Sequence, residues 1–326
     1  MTSMARAWTF AAIAVGVLAL VGVSLQRARS AAHAPSAPTP ASDLATPPVP
    51  PLVVVRDLRP GTSWGRLALV PVVALEGPRF LTDLRCVRAY VSGGRGLCLV
   101  VNGTASEALV FDDRFTVRHR LPLTGAPSRA RVSADGRLGA VTVFEQGHSY
   151  AETGFSTRTT VIDLDAGTVV ADLERFTFWN GRSRVQRADV NVWGVTFVPG
   201  GRRFYATLAY GGTPYLVEGD LDRREASVIA SHVECPSLSP DQRTIAFKRA
   251  EGTRWRLWTI DVASRAEHIV DGETRSIDDQ VEWLDDRQLI YQYPSDEGNA
   301  IWVAGIDGSQ PARPFLRDAW TPAVVR

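Results

Sequence analysis

Residues 235–261 read CPSLSPDQRTIAFKRAEGTRWRLWTID, and this stretch carries the unit that the rest of the chain repeats. Ser237-Leu238-Ser239 closes a first strand. Pro240-Asp241-Gln242-Arg243 is a tight turn, because proline presets its own φ and Asp241 can accept hydrogen bonds from nearby amides. Thr244-Ile245-Ala246-Phe247 is a short apolar strand. A loop from Ala250 to Thr253 leads into Trp255-Arg256-Leu257-Trp258-Thr259-Ile260, which alternates as a third strand ending at Asp261.

The unit recurs. Its turn has counterparts at Gly93-Gly94-Arg95, Asp135-Gly136-Arg137, Gly200-Gly201-Arg202 and Asp285-Asp286-Arg287, each between two short apolar strands. Its closing aspartate returns as Asp112, Asp163, Asp220 and Asp307. The turn arginines are spaced 42, 65, 41 and 44 residues apart. About forty residues holding several short strands is the size of one blade of a β-propeller. Five turn-marked units follow, at roughly 82–126, 127–187, 188–232, 233–275 and 276–318, numbered here as blades one to five.

The two ends of the domain complement each other. Leu52 to Leu81 holds strands that lack a first strand, and Ala319 to Arg326 is a lone first strand. Together they predict a sixth blade with the C-terminal strand innermost, which closes the ring and removes an exposed sheet edge. The expected fold is thus all-β, a six-bladed β-propeller over 52–326.

Two segments precede it. Ala7 to Gln26 carries no charge and is long enough to span a bilayer as one helix. Residues 1–29 therefore read as a signal anchor or transmembrane helix, the alternative being a signal cleaved near Ala32-His33-Ala34 with secretion of the rest. Residues 30–51 hold seven prolines among Ala, Ser and Thr, the composition of a disordered tether.

Composition narrows function. The net charge of +1 gives no push toward nucleic acid. Lys248 is the only lysine, a bias we read as compositional. Of three cysteines, Cys86 and Cys98 fall on neighbouring strands. If Val91 opposes Gly96, Cys98 faces Ala89 and Cys86 faces Val101, so a direct bridge is disfavoured and small buried thiols are expected. No Cys or His spacing suggests a metal, and no cofactor is expected.

Gly61-Thr62-Ser63-Trp64-Gly65 matches G-x-S-x-G, but strands rather than a helix surround it, so Ser63 is not read as a nucleophile. Asp163 and Asp165 lack the spacing of a calcium loop and read as acceptors for turn amides. Asn102-Gly103 reads as a hairpin turn. No catalytic constellation emerges, and a non-enzyme is expected.

Binding residues are expected on one face. In four-stranded antiparallel blades, the second-to-third loop and the connection to the next blade emerge together. Blade two has insertions at both places, Glu145 to Arg158 and Glu174 to Val190. They carry His148, Tyr150, Phe155, Phe176, Phe178, Trp179, Arg182 and Arg184, with Gln146 and Arg187, aromatics and arginines of the kind that anchor interfaces or else cap the core. The first strands start on that same face and line the central channel, contributing Asn191, Trp193, Glu234, Asp278, Asp279 and Gln280.

The SLSPDQRTIAFKR turn, the end-of-blade aspartates and the end-to-end closure resemble the TolB-like six-bladed β-propeller family, with its WD-like repeats. VECPSLSPDQRTIAFKR and SIDDQVEWLDDRQLIYQY look especially like TolB-type extracytoplasmic proteins of actinobacteria. Members of that family also carry a small α/β domain ahead of the propeller and work in an envelope complex, whereas this chain has an apolar segment and a tether there. The resemblance implies a membrane-tethered, extracytoplasmic propeller that binds an envelope protein or peptide without catalysis. The alternatives are a hydrolase- or lactonase-like enzyme using the acidic channel-mouth residues Glu234, Asp278 and Asp279, or a purely structural or sensory domain.

Overall fold

A computed structural model describes residues 41–43, 48–147, 154–295 and 298–326. The described segments form six β-sheets. Blade one comprises Arg88–Ser92, Arg95–Asn102, Ala105–Asp112 and Val117–Leu123. Blade two comprises Ala126–Val132, Leu138–Gln146, Ser156–Asp163 and Thr168–Asp172. Blade four is Glu234–Leu238, Thr244–Glu251, Arg254–Asp261 and Glu267–Ile269. Blade five is Glu282–Trp283, Gln288–Ser295, Gly298–Gly305 and Arg313–Arg317.

Blade three has more than four strands. Asn191–Phe197, Arg203–Tyr210, Thr213–Asp220 and Glu225–Ser231 form its usual set. The preceding hairpin, Thr177–Asn180 and Ser183–Arg184, adds to the outer edge, with Thr177–Asn180 parallel to Glu225–Ser231.

The sixth blade closes as the sequence predicts. Ala319–Val325 is innermost and pairs antiparallel with Leu52–Asp57, followed outward by Arg66–Pro71 and Arg79–Arg85. Ala41–Asp43, inside the stretch read as tether, pairs parallel with Arg79–Arg85 as a fifth, outermost strand. Among the described residues no helix is long and apolar enough to cross a membrane. The Ala7–Gln26 segment lies outside the described residues.

The core is divided among the seams. Among the described residues, six clusters of buried apolar side chains occur, each shared by two adjacent blades. The period-two alternation of a strand explains the division. In Leu52–Asp57, Val53 and Val55 face blade five while Leu52 and Val54 face blade one. Each fully buried Val or Leu contributes about 1.5–3 kcal/mol.

The aspartates that mark the repeat cap their own turns. Asp163 Oδ1 accepts from the amides of Asp165 (3.0 Å) and Ala166 (2.9 Å). Asp220 and Asp261 repeat the pattern. Asp241 accepts from Ser239 Oγ (2.6 Å) and the Arg243 amide (3.0 Å). The end-of-blade aspartate signal is thus a turn signal, as expected, but Asp165, also read as an acceptor for turn amides, instead pairs with Arg95 of blade one (2.9 Å).

Cys86 and Cys98 form a disulfide, with Cα atoms 5.3 Å apart, which corrects the expectation of free thiols. The assumed register is right: Val91 opposes Gly96 and Ala89 opposes Cys98. The error lies in extending the strand to Cys86. It begins only at Arg88, and the Val87 amide already donates to Leu99 O (2.8 Å). The chain bends there, and the Cys86 amide donates to Gly65 O of blade six (3.2 Å). The bend swings Cys86 back onto Cys98. Cys235 is free and buried.

Asn102-Gly103 is a hairpin as predicted, but shifted by one residue. Asn102 pairs with Ala105, so Gly103-Thr104 is the turn, and Gly103 supplies the positive φ of 63°. Ser63 lies between strands Leu52–Asp57 and Arg66–Pro71, without the helix that a nucleophile elbow requires.

Candidate binding surface at the channel mouth

The inner strands are bent where they line the channel. Gly194, Cys235 and Thr321 take left-handed φ values of 64°, 52° and 49°, and the ladder register shifts at each. Such bulges re-aim neighbouring side chains, and here they turn polar groups of four blades toward one another.

The mouth is built around the only lysine. Lys248, on the second strand of blade four, is fully buried and ion-paired to Asp278, with Glu234 Oε2 3.7 Å away. Its Nζ sits 4.5 Å from the Trp255 ring centroid, and Trp255 Nε1 donates to Glu234 Oε1 (3.1 Å). Burial alone would lower the Lys248 pKa, and Arg129 adds to this, but Cys235, Asp278 and Glu234 together more than offset both and the pKa is raised. Burial pushes the other way on Asp278, and Lys248 holds that carboxyl below its ordinary value. The Asp278 side chain remains 45% exposed, so the pair opens to solvent.

Asp279 is buried and faces Arg88 at 3.5 Å. Gln280 Nε2 donates to Val195 O (3.0 Å) and Pro236 O (2.8 Å), linking blade five to blades three and four. Deeper, Glu282 of blade five is ion-paired to Arg131 of blade two and accepts from the Tyr90 hydroxyl of blade one (2.9 Å). Arg131 lies over the Tyr90 ring at 4.5 Å. Burial keeps the Tyr90 hydroxyl protonated, with its pKa above the ordinary value.

These side chains plug the channel. A cavity of about 30 Å³ remains, between Arg88, Arg129, Asp279, Gln280 and Thr321, room for about one or two waters. A ligand would therefore seat on the mouth rather than thread the ring. The acidic residues singled out in the sequence each meet a cation: Glu234 and Asp278 meet Lys248, and Asp279 meets Arg88. That donor set is neutralised, which suits a polar recognition surface better than a divalent ion.

The blade-two insertions divide. Phe155 packs edge-on against Phe144 (6.3 Å) and Trp193 (5.6 Å), joining the first insertion to the inner strand of blade three. Trp193 itself is buried. His148 and Tyr150 lie outside the described residues. Phe176 and Phe178 are buried in the seam between blades two and three and present no surface. Phe178 lies on the strand Thr177–Asn180, and Phe176 immediately precedes it at the end of a short 3-10 turn. Trp179 is half-buried, and Arg182 and Arg184 are exposed. All three lie on the hairpin outside the fourth strand of blade three, hence on the outer rim and not at the mouth.

Asn191 serves the scaffold, accepting from the Thr157 amide (2.8 Å). Beside it, Glu174 accepts from the amides of Thr159 (2.9 Å) and Val192 (3.2 Å). Burial pushes the Glu174 pKa up to about 8, against the pull of those amides.

Sequence reasoning missed Lys248, Trp255, Arg88, Arg131, Tyr90 and Glu282. One signal was available: a lone lysine following three apolar residues in TIAFKR.

No known family profile matches the chain, and no curated protein matches it. Among solved structures, TolB from Acinetobacter baumannii superposes with a TM-score of 0.59 at 16% identity, over 84% of this chain and 66% of that one. This chain thus spans just under two thirds of that TolB chain. The structure of a nidogen/laminin complex gives 0.55 at 10% identity, over 84% of this chain and 98% of that one. A putative TolB from Agrobacterium tumefaciens gives 0.49 at 13% identity, over 81% and 88%. Identities this low speak to fold alone. The chain has the fold of a TolB-like six-bladed β-propeller.

Proposed function

We propose that this propeller is a non-catalytic binding module of the cell envelope that takes up a protein or peptide at its channel mouth. The observation that carries the reading is the mouth itself. A half-exposed Asp278 pairs with the buried Lys248, whose ammonium lies 4.5 Å from the half-buried Trp255 ring, above a plugged channel. Rigid aromatic and charged groups of this kind anchor interfaces, and the plug confines contact to the surface. The fold shared with TolB and with a chain of a nidogen/laminin complex agrees with protein binding.

An extracytoplasmic place, single-pass and tethered through residues 1–29, is part of the same reading. The Cys86–Cys98 bond supports it, since disulfides persist in oxidising compartments and are rare in reducing ones.

Photo-cross-linking in intact cells tests this. A cross-linking residue is placed at Asp278, at Arg182 on the outer rim, or at Arg243 on the opposite face. A discrete partner adduct at Asp278, absent at Arg243, is the expected result. Equal yields at all three positions, or none at Asp278, would overturn the reading.

A further inference from the structure

On the face opposite the mouth, turn residues close the seams between blades one and two and between blades four and five, where the Asp241 amide donates to Asp286 Oδ1 (2.9 Å). Between blades one and two, the turns touch: a Cβ at Gly93 would meet the Gly136 amide at 2.2 Å. There Arg95 also reaches across to Asp165 of the next blade at 2.9 Å. The repeat places Arg137 and Asp222 in the equivalent positions at the seam between blades two and three. Asp222, however, is held by Arg202 of its own blade at 3.1 Å. Arg137 is left without a carboxylate partner among the described residues. The Gly200-Gly201 turn supplies no side chain here: a Cβ at Gly201 would touch Leu138 (3.3 Å) and Asp135 (3.9 Å) of blade two, while one at Gly200 would meet nothing within 4 Å.

The result is a cleft of about 370 Å³, within the size range of small-molecule sites. Arg137, Arg202 and Arg224 stand on its walls. Arg224 Nη2 donates to Val170 O (3.3 Å), which fixes its guanidinium at the edge. Among the described residues, three carboxylates share the lining: Asp222 pairs with Arg202, and the other two are turned toward their own turns, which leaves Arg137 and Arg224 as the guanidiniums for a ligand. Asp135 accepts from Ser133 Oγ and the Arg137 amide, and Asp163 from two amides. The floor is apolar, with Leu138, Ala171 and Leu221, and Val170 is 40% exposed on the cleft.

We infer that this cleft binds a small amphipathic oxyanion, a phosphate ester or carboxylate carrying an apolar group. The guanidiniums match the oxyanion's paired oxygens, and the apolar floor takes the substituent. The site is separate from the channel mouth and does not depend on the function proposed for it.

Calorimetric titration of the full chain with phenyl phosphate, inorganic phosphate, benzoate and benzyl alcohol tests the inference. Phenyl phosphate and benzoate are expected to bind roughly tenfold tighter than inorganic phosphate or benzyl alcohol. Arg137→Gln and Arg224→Gln should each weaken phenyl phosphate roughly fivefold or more, while Arg243→Gln, the equivalent turn arginine of blade four, should change it less than about twofold. All three positions are exposed turn residues, and an unchanged melting temperature confirms that each variant folds. Absence of phenyl phosphate binding overturns the site, as does an equal loss in Arg243→Gln. Inorganic phosphate binding as tightly as phenyl phosphate overturns the amphipathic assignment.

Discussion

Lys248 shows how a single residue can be read correctly as unusual and still be misassigned. A lone lysine among 36 basic residues looks like compositional bias, yet it is fully buried where two carboxylates and a tryptophan converge. Removing its charge strands Glu234, which is buried, while Asp278 can relax into solvent. Lys248→Met is therefore expected to cost about 3 kcal/mol of stability. Asp278→Asn, at a half-exposed position, should cost about 1 kcal/mol or less. The pH dependence follows from the shifts. Because the Lys248 pKa is raised, its contribution is complete at neutral pH and is lost as pH rises through that raised value. Because the Asp278 pKa is lowered, its contribution is lost only as pH falls through a value below the ordinary carboxylate range. Urea denaturation of the three proteins at neutral and alkaline pH checks this. Equal stability of Lys248→Met and wild type at neutral pH would mean that the cluster does not hold the mouth together.

At the scale of the element, the bend before strand Arg88–Ser92 decides whether two cysteines meet. The bond closes a loop between residues 12 apart in sequence, for which chain entropy gives about 3 kcal/mol. Reduction, or the Cys86→Ala/Cys98→Ala double variant, is expected to lower the denaturation midpoint by up to that amount without changing the fold. A midpoint indifferent to reductant would show that the two thiols are not bonded in solution. The same bend marks the limit of what the sequence discloses. Turn chemistry is local, so Asp163, Asp241 and Gly103 announce their turns within a few residues. Period-two alternation is local too, so the four-strand blades were readable. Where a strand starts, by contrast, depends on what the neighbouring blade offers. The Cys86 amide finds Gly65 O of blade six, a partner that no short window contains. The blade-two insertion failed for a related reason. Its Phe-Thr-Phe alternation, Phe176 to Phe178, is a strand signal, and the hairpin joined blade three's edge instead of standing free as a binding loop. The candidate site was half legible. Its carboxylates lay at predictable strand starts, but their cationic partners came from other blades, brought together only by closing the ring.

Closure is the property of the whole molecule, and it rests on one non-covalent strand. Ala319–Val325 fills the inner position of blade six, and its Ala319 and Val324 belong to the seam with blade five. A buried cluster fastens the junction. Arg79, 6% exposed, pairs with the fully buried Asp57 at 2.9 Å and donates to Asp318 O at 2.7 Å and to Arg317 O. Arg59 also holds Asp57, from a more exposed position. Arg79→Ala is therefore expected to cost about 3 kcal/mol, leaving the buried Asp57 carboxylate with Arg59 alone and removing a donor from the carbonyls of Arg317 and Asp318, the latter still held by the Leu58 amide. Deleting 319–326 goes further, because it bares the inner edge of Leu52–Asp57 along its length and opens the seam on either side. The truncated chain should lose its single cooperative transition and bind a hydrophobic dye, while Arg79→Ala keeps a single transition at a lower midpoint. Denaturation followed by tryptophan fluorescence and by far-ultraviolet circular dichroism separates the two cases. If the truncated chain unfolds in one transition at the wild-type midpoint, the ring does not depend on its closing strand, and the six seams are stable without the sixth blade complete.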